Sequence, residues 1–299
     1  MAFLTSVVYH NIGDETAFEA GLGVTIGWQT FRSQIAYLAR NYDVIGIGDL
    51  LDGKLPRRPL LISFDDCYAS SRDAARDILT PMGLPSVFFI NPGLLGPDGI
   101  SLDSVLAKCA SGVGLDVLCA ELDIPRHESL GNIIAVEMAK LGAARRLELK
   151  QHLQRKFGMT SFTGRSPLLS REDVGELHRY GMAVGNHTLS HVHCRALGKP
   201  ELQSEITAAK DALETMSGRP VRAFALPYGN TLDLTPELLS ALRMAGHEAI
   251  FLVGARSNRF RPAGDVWYRV SVPEMSVNAM PAKLTVFPLL RSIRDKLRW

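Results

Sequence analysis

Two short apolar runs in this chain end in side chains that can hold a metal ion. Leu60, Leu61, Ile62, Ser63 and Phe64 lead into Asp65 and Asp66, and Met182 to Val184 lead into Gly185-Asn186-His187-Thr188-Leu189-Ser190-His191. Both runs read as buried strands with polar C-terminal ends. In α/β folds with parallel strands, chemistry collects at that end of the sheet. One carboxylate and two imidazoles form a common ligand set for a catalytic divalent metal with a position open to water. An adjacent carboxylate is then free to act as a base on that water. Each half alone has a plainer reading, since an Asp pair also suits a turn or a helix N-cap. The crowding of His187, His191 and His193, three of the eight His, into one short stretch favours the metal. His193 remains open as a third imidazole or an outward surface residue.

The rest of the chain alternates strand-like and helix-like segments. Trp28, Phe31, Ile35 and Leu38 share one face of a helix over residues 28–40. Val44–Ile47, Leu60–Phe64, Ser86–Ile90, Val221–Phe224, Ala249–Val253 and Trp267–Val272 read as strands, as does the run from Leu4 to Tyr9. Residues 69–80 form a helix stopped by Pro81 and Gly83, and residues 200–217 form one ended by Gly218. Leu169–Tyr180 is a helix opened by Ser170, with Asp173 placed for a capping box. Such alternation predicts a parallel sheet.

Three motifs carry a family resemblance. Ser63-Phe64-Asp65-Asp66 and His187-Thr188-Leu189-Ser190-His191 resemble the first two motifs of the polysaccharide deacetylases, the NodB-homology group of carbohydrate esterase family 4. Phe224-Ala225-Leu226-Pro227-Tyr228-Gly229 resembles the third. The resemblance spans residues 3–94 and 165–272. It implies an α/β fold, a distorted and incomplete (β/α) barrel, in a single domain over residues 1–299. It also implies that Asp65 is the catalytic base, that Asp66, His187 and His191 bind a divalent metal, and that Tyr228 offers its backbone N–H to the oxyanion. Zinc is the first choice of metal, with cobalt, nickel or another divalent ion as alternatives.

The chain departs from the family pattern at three places. Cys67 stands where Gly is usual. Ala225 stands where an Arg usually holds the catalytic Asp; Arg269 is a candidate replacement pointing at Asp65, against the alternative of a strand-end Arg in a surface ion pair. The general-acid His expected near the C-terminus is missing, since His247 follows a helix on the wrong side of a strand. His10 follows the first strand-like run, the place taken by that His in circularly permuted members; the alternative is a turn His.

Composition adds limits. A net charge of +2 on 299 residues gives no reason to expect a nucleic-acid partner. Cys67, Cys109, Cys119 and Cys194 show no framework spacing and read as free thiols. With no apolar span long enough to cross a membrane and no signal-like N-terminus, a cytoplasmic protein is expected. Residues 95–164 interrupt the alternation as a helical insertion bordering the cleft. Its long helix, about Asn132 to Phe157, is expected to expose Arg145, Arg146, Lys150, Arg155 and Lys156. The insertion either shapes specificity or serves as a structural cap. Residues 288–299 place Leu289, Leu290, Ile293 and Leu297 among basic residues as an amphipathic C-terminal helix, either packed on the barrel or resting peripherally on an anionic membrane. The reading is a metal-dependent N-deacetylase acting on an N-acetylated saccharide or glycan precursor. The alternatives are an amidohydrolase on a non-sugar amide or imide, and a carbohydrate-binding relative with impaired catalysis. Nothing in the sequence bears on oligomeric state.

Overall fold

Alternation of side chains along each strand decides which residues reach the interior. The computed structural model describes residues 3–159, 166–254, 256–259 and 266–291. Seven strands form a parallel barrel: β1 Phe3–Tyr9, β2 Pro59–Phe64, β3 Ser86–Ile90, β4 Met182–Asn186, β5 Ala223–Ala225, β6 Ala249–Val253 and β7 Val266–Ser271. They lie side by side in chain order, and β7 pairs with β1 to close the ring. This is one strand fewer than the usual eight, which agrees with the expected incomplete barrel. Along β2 the period of two sends Leu61 and Ser63 inward and Leu60, Ile62 and Phe64 outward against the helix Trp28–Asn41, where Phe31, Ile35 and Leu38 are buried.

The interior is filled unevenly. Leu61, Val87, Phe89, Phe251 and Trp267 occupy the lower part. Gly185 is required there, because a Cβ on it would lie 2.4 Å from the Phe89 ring. Further up, Ser63 and Arg269 bring polar groups into the ring.

Several elements differ from the sequence reading. Only Asp43–Val44 pair as a strand, and Ile47–Leu51 form a helix whose entry Asp49 caps by accepting from the Gly46 N–H. The helix after β2 is α-helical over Ala69–Ala74 and continues through a wider turn at Ala75–Leu79 before Thr80–Met82 ends it. The insertion's expected long helix is broken: Leu141 is extended, and a regular helix restarts at Ala143–Lys156. With Leu102–Val113 and Leu115–Glu121 it builds a core of its own around Leu106, Leu118, Ile133 and Leu153. Arg146 is buried, not exposed, because it lies on the same helical stripe as Leu153; Lys150 is half-buried, with its Nζ on the Ile100 carbonyl. Residues 160–165 of the insertion and 292–299 of the expected C-terminal helix lie outside the described residues. At the near end of that helix Pro288 is buried, whereas Leu289 and Leu290 are exposed.

Candidate active site

The loops after β2 and β4 turn sharply at the C-terminal mouth of the barrel. The Asp65 N–H donates to the Tyr9 carbonyl at 3.0 Å, which extends the β1–β2 ladder by one step. The backbone then enters the left-handed region at Asp66 (φ 70°) and Cys67 (φ 61°). The Cys67 Sγ accepts from the Asn91 N–H at 3.1 Å, and burial pushes its thiol up, so it stays protonated. After β4, Thr188 and His191 are also left-handed, at φ 66° and 57°. Their loop is pinned from three sides. Asn91 donates to the His187 and Thr188 carbonyls, Thr188 Oγ1 accepts the His191 N–H, and the Glu205 carboxylate accepts from Ser190.

These turns bring the three expected ligands together. One ligand atom from each of Asp66, His187 and His191 lies within 4.8 Å of the others. Asp66 Oδ1 is 3.4 Å from His187 Nε2 and 3.2 Å from His191 Nε2. The remaining ring nitrogens are already engaged. His187 Nδ1 faces the Ala225 carbonyl at 2.7 Å, and His191 Nδ1 faces the Asp103 carboxylate at 3.1 Å. Both partners can only accept, so each Nδ1 carries the hydrogen and each Nε2 presents a lone pair to the common centre. Asp66 Oδ1 is buried there without a hydrogen-bond donor. Burial works against ionisation of Asp66; without a cation, His191, His187 and His10 hold the carboxyl far below its ordinary value only as protonated rings, a role a cation would take over when each Nε2 is unprotonated. An orphaned carboxylate oxygen facing two imidazole lone pairs suits a divalent cation.

Asp65, 3% exposed, lies beside this cluster. The fully buried Arg269 donates to both its oxygens at 2.7 Å and to Ser63 Oγ at 3.0 Å, while its guanidinium sits over the Phe89 ring. Burial opposes ionisation of Asp65, and Arg269 together with His187 and His10 outweighs it, so the carboxyl is held below its ordinary value. Ala225 uses its carbonyl on His187 instead. His10 follows β1, with Nε2 3.9 Å from Asp66 Oδ2. Burial lowers its ring, and Asp66 and Asp65 pull the other way. Tyr228 is left-handed at φ 60°, and its hydroxyl donates to Asp103 at 2.7 Å.

Three residues, His193, Asp103 and Arg146, fall differently from the sequence reading, whereas His247 stays out of the site as expected. His193 points inward: its Nδ1 meets Asp233 at 2.9 Å and its ring stacks on Tyr228 at 3.7 Å. It lies outside the cluster of ligand atoms formed by Asp66, His187 and His191. His247 is buried, bonded to Asn186 and beside the Phe224 ring, and burial lowers its pKa to about 4. Asp103 and Arg146, both in the insertion, touch the site and were not expected there. Arg146 donates to Asp103, to the Tyr228 hydroxyl and to the His191 carbonyl. Its helical spacing with Leu153 was the available signal. The resulting cavity of about 390 Å³ has His10, Asp65, Asp66 and His191 on its floor and Ser101, Ile134 and Ala135 of the insertion on one wall.

Comparison with known proteins gives a family match over part of the chain and a shared fold. Residues 148–250 match the family model for polysaccharide deacetylase, a span that holds His187, His191 and Tyr228. No curated protein matches the sequence. The Streptococcus pyogenes deacetylase PplD, solved in complex with acetate, superposes with a TM-score of 0.63 at 13% identity over 95% of this chain and 98% of its own. A de-N-acetylase from Aggregatibacter actinomycetemcomitans gives 0.63 at 17% over 94% and 100%. IcaB from Ammonifex degensii gives 0.58 at 18% over 98% and 97%. The shared fold is that of the polysaccharide deacetylases.

Proposed function

We propose that this chain, which carries a polysaccharide deacetylase domain on the barrel of that fold, is a metal-dependent hydrolase that removes N-acetyl groups from the amino sugars of a glycan or glycan precursor. The observation that carries the reading is the orphaned Asp66 Oδ1 facing two imidazole Nε2 atoms, beside a second carboxylate locked by Arg269. Asp66, His187 and His191 would hold the metal, zinc first. When bound, it supplies Lewis-acid polarisation of water and of the acetamide carbonyl.

The protein's own groups supply the rest. Asp65, kept ionised and oriented by Arg269, takes a proton as the water oxygen bonds to the acetyl carbon. The Tyr228 N–H donates to the carbonyl oxygen as negative charge grows there. His10, once protonated, gives a proton to the sugar nitrogen as the C–N bond breaks, in the arrangement of a circularly permuted member, and the proton taken by Asp65 replaces the one it spends. The products are acetate and a free amino sugar. A cavity of about 390 Å³ lies within the size range of small-molecule sites. Metal analysis of the purified protein, joined to acetate release across a panel of N-acetylated saccharides, tests the reading. Stoichiometric metal with no acetate from any saccharide, but turnover of a cyclic imide, would replace it with the amidohydrolase alternative.

We also propose a cytoplasmic protein that rests on anionic membrane through its C-terminal segment. Val286, Phe287, Leu289 and Leu290 are exposed while Leu284 and Pro288 are buried, so the apolar face looks outward. Arg291, Arg294, Lys296 and Arg298 follow in the sequence. Among the described residues no helix is long and apolar enough to cross a membrane. Salt-sensitive binding to anionic vesicles, lost on deletion of residues 288–299, is the expected result; unchanged binding after the deletion would remove the proposal.

A further inference from the structure

The two histidine ligands are braced by different parts of the molecule. His187 leans on a barrel carbonyl, that of Ala225, whereas His191 leans on Asp103, the second residue of the insertion helix Leu102–Val113. Asp103 is 6% exposed, and each of its oxygens is used. Its Oδ2 accepts from His191 Nδ1 at 3.1 Å and from the Tyr228 hydroxyl at 2.7 Å, and its Oδ1 accepts from Arg146 at 3.2 Å. Arg146, 4% exposed, comes from the other main insertion helix, Ala143–Lys156. It also donates to the Tyr228 hydroxyl at 2.7 Å, to the His191 carbonyl at 3.2 Å and to the Met138 carbonyl at 3.3 Å. One buried carboxylate and one buried guanidinium therefore tie both insertion helices to a metal ligand and to the Pro-Tyr-Gly turn.

We infer that Asp103 and Arg146 are positioning residues that make docking of the helical insertion and metal binding at His191 a single coupled equilibrium. The inference rests on the metal reading of Asp66, His187 and His191. A carboxylate accepting from a ligand's distal N–H fixes its tautomer and ring orientation and raises its basicity. Arg146 holds that carboxylate and the backbone of the same ligand, so the ring is in register only when both helices are seated. Coupling of this kind is reciprocal. If the seated insertion tightens the metal, the metal must tighten the insertion by the same factor. The wall of the substrate cavity is thereby organised by the occupant of its floor.

The test uses the full chain, metal-stripped and then titrated with zinc. Competition with a chromophoric chelator should show zinc bound about 10–100-fold more weakly by Asp103→Asn than by the wild type. Arg146→Met should also weaken zinc, although it touches no ligand side chain. Hydrogen exchange in peptides covering residues 102–113 and 143–156 should slow in the wild type on zinc addition, and that slowing should vanish in Asp103→Asn. A wild type that binds zinc while exchange in both helices stays the same overturns the inference, and this arm needs no variant to fold. Zinc affinity within about threefold of wild type in Asp103→Asn also overturns it, being below the range for such partners. A wild type that binds no divalent metal overturns the metal reading itself, which separates the two failures.

Discussion

Replacing Arg269 by Met should expose how the barrel tolerates a buried carboxylate. Arg269 is 0% exposed and Asp65 3%, and the pair is bidentate at 2.7 Å. Met keeps much of the apolar stem and its packing on Phe89 but leaves Asp65 buried without a cation. Breaking a buried pair from one side costs about 3–5 kcal/mol. The pH dependence follows from linkage. In the wild type the Asp65 carboxyl lies below its ordinary value, so its contribution is present above the unfolded pKa, about 3.9, and is lost only as pH falls through the folded one. In Arg269→Met burial acts unopposed by the guanidinium, and the folded pKa should lie above the unfolded one. The variant then gains stability on acidification, by about 1.4 kcal/mol per pH unit between those two values. Urea unfolding with excess chelator, run from about pH 8 down to about pH 5, should therefore show the gap between wild type and variant narrowing. Adding Asp65→Asn to the variant should recover part of the loss, since no charge is then buried alone. A gap below about 1 kcal/mol, or one that does not change with pH, would refute the reasoning.

Four other substitutions address the site. Asp65→Asn should retain metal while acetate release falls by about 10²–10⁴-fold, whereas Asp66→Asn should lose metal affinity in the same chelator competition; equal metal loss in both would reverse the assigned roles. His10→Ala should lower kcat strongly at unchanged metal content, and near-normal turnover would remove His10 as the acid. Gly229→Ala should destabilise by about 1–3 kcal/mol or more in thermal melts, because a Cβ there would lie 2.2 Å from the Val253 nitrogen at φ +63°; a neutral result would mean that the Pro-Tyr-Gly turn can shift.

Much of the barrel was legible because its strands are dense apolar runs with polar ends. The readings at Ser86–Ile90 and Ala249–Val253 coincide with the observed strands, and Leu60–Phe64 is one residue short. Motif spacing placed Asp66, His187 and His191 at strand ends, where the structure brings them together. The usual Gly after the Asp pair also gains a physical reason: the position is left-handed, and Cys67 occupies it with its Sγ bonded to Asn91. The insertion was harder to read. Asp103 looks like any first-turn acid after the N-cap Ser101, and nothing local says that it will meet a ligand 88 residues away. Arg146 reads with its exposed basic neighbours, although its spacing to Leu153 puts it on the apolar stripe. His193 stays open between ligand and surface residue in the sequence, because nothing local points to its partner Asp233, 40 residues downstream.

The chain-order arrangement of the barrel also sets a schedule. Asp65 ends the second strand and Arg269 lies on the last, 204 residues later. A chain growing from the ribosome makes the carboxylate long before its partner. Until β7 slots between β6 and β1, Asp65 lacks the guanidinium that offsets its burial, so burying it before then would carry the cost of an unpaired charge. The final strand thus brings the hydrogen bonds that complete the ring and the counter-ion that lets it dry, in one event. Contacts of such long sequence separation form slowly, and the unsealed β1 edge is where a nascent chain would be most open to a chaperone, a protease or a neighbouring copy.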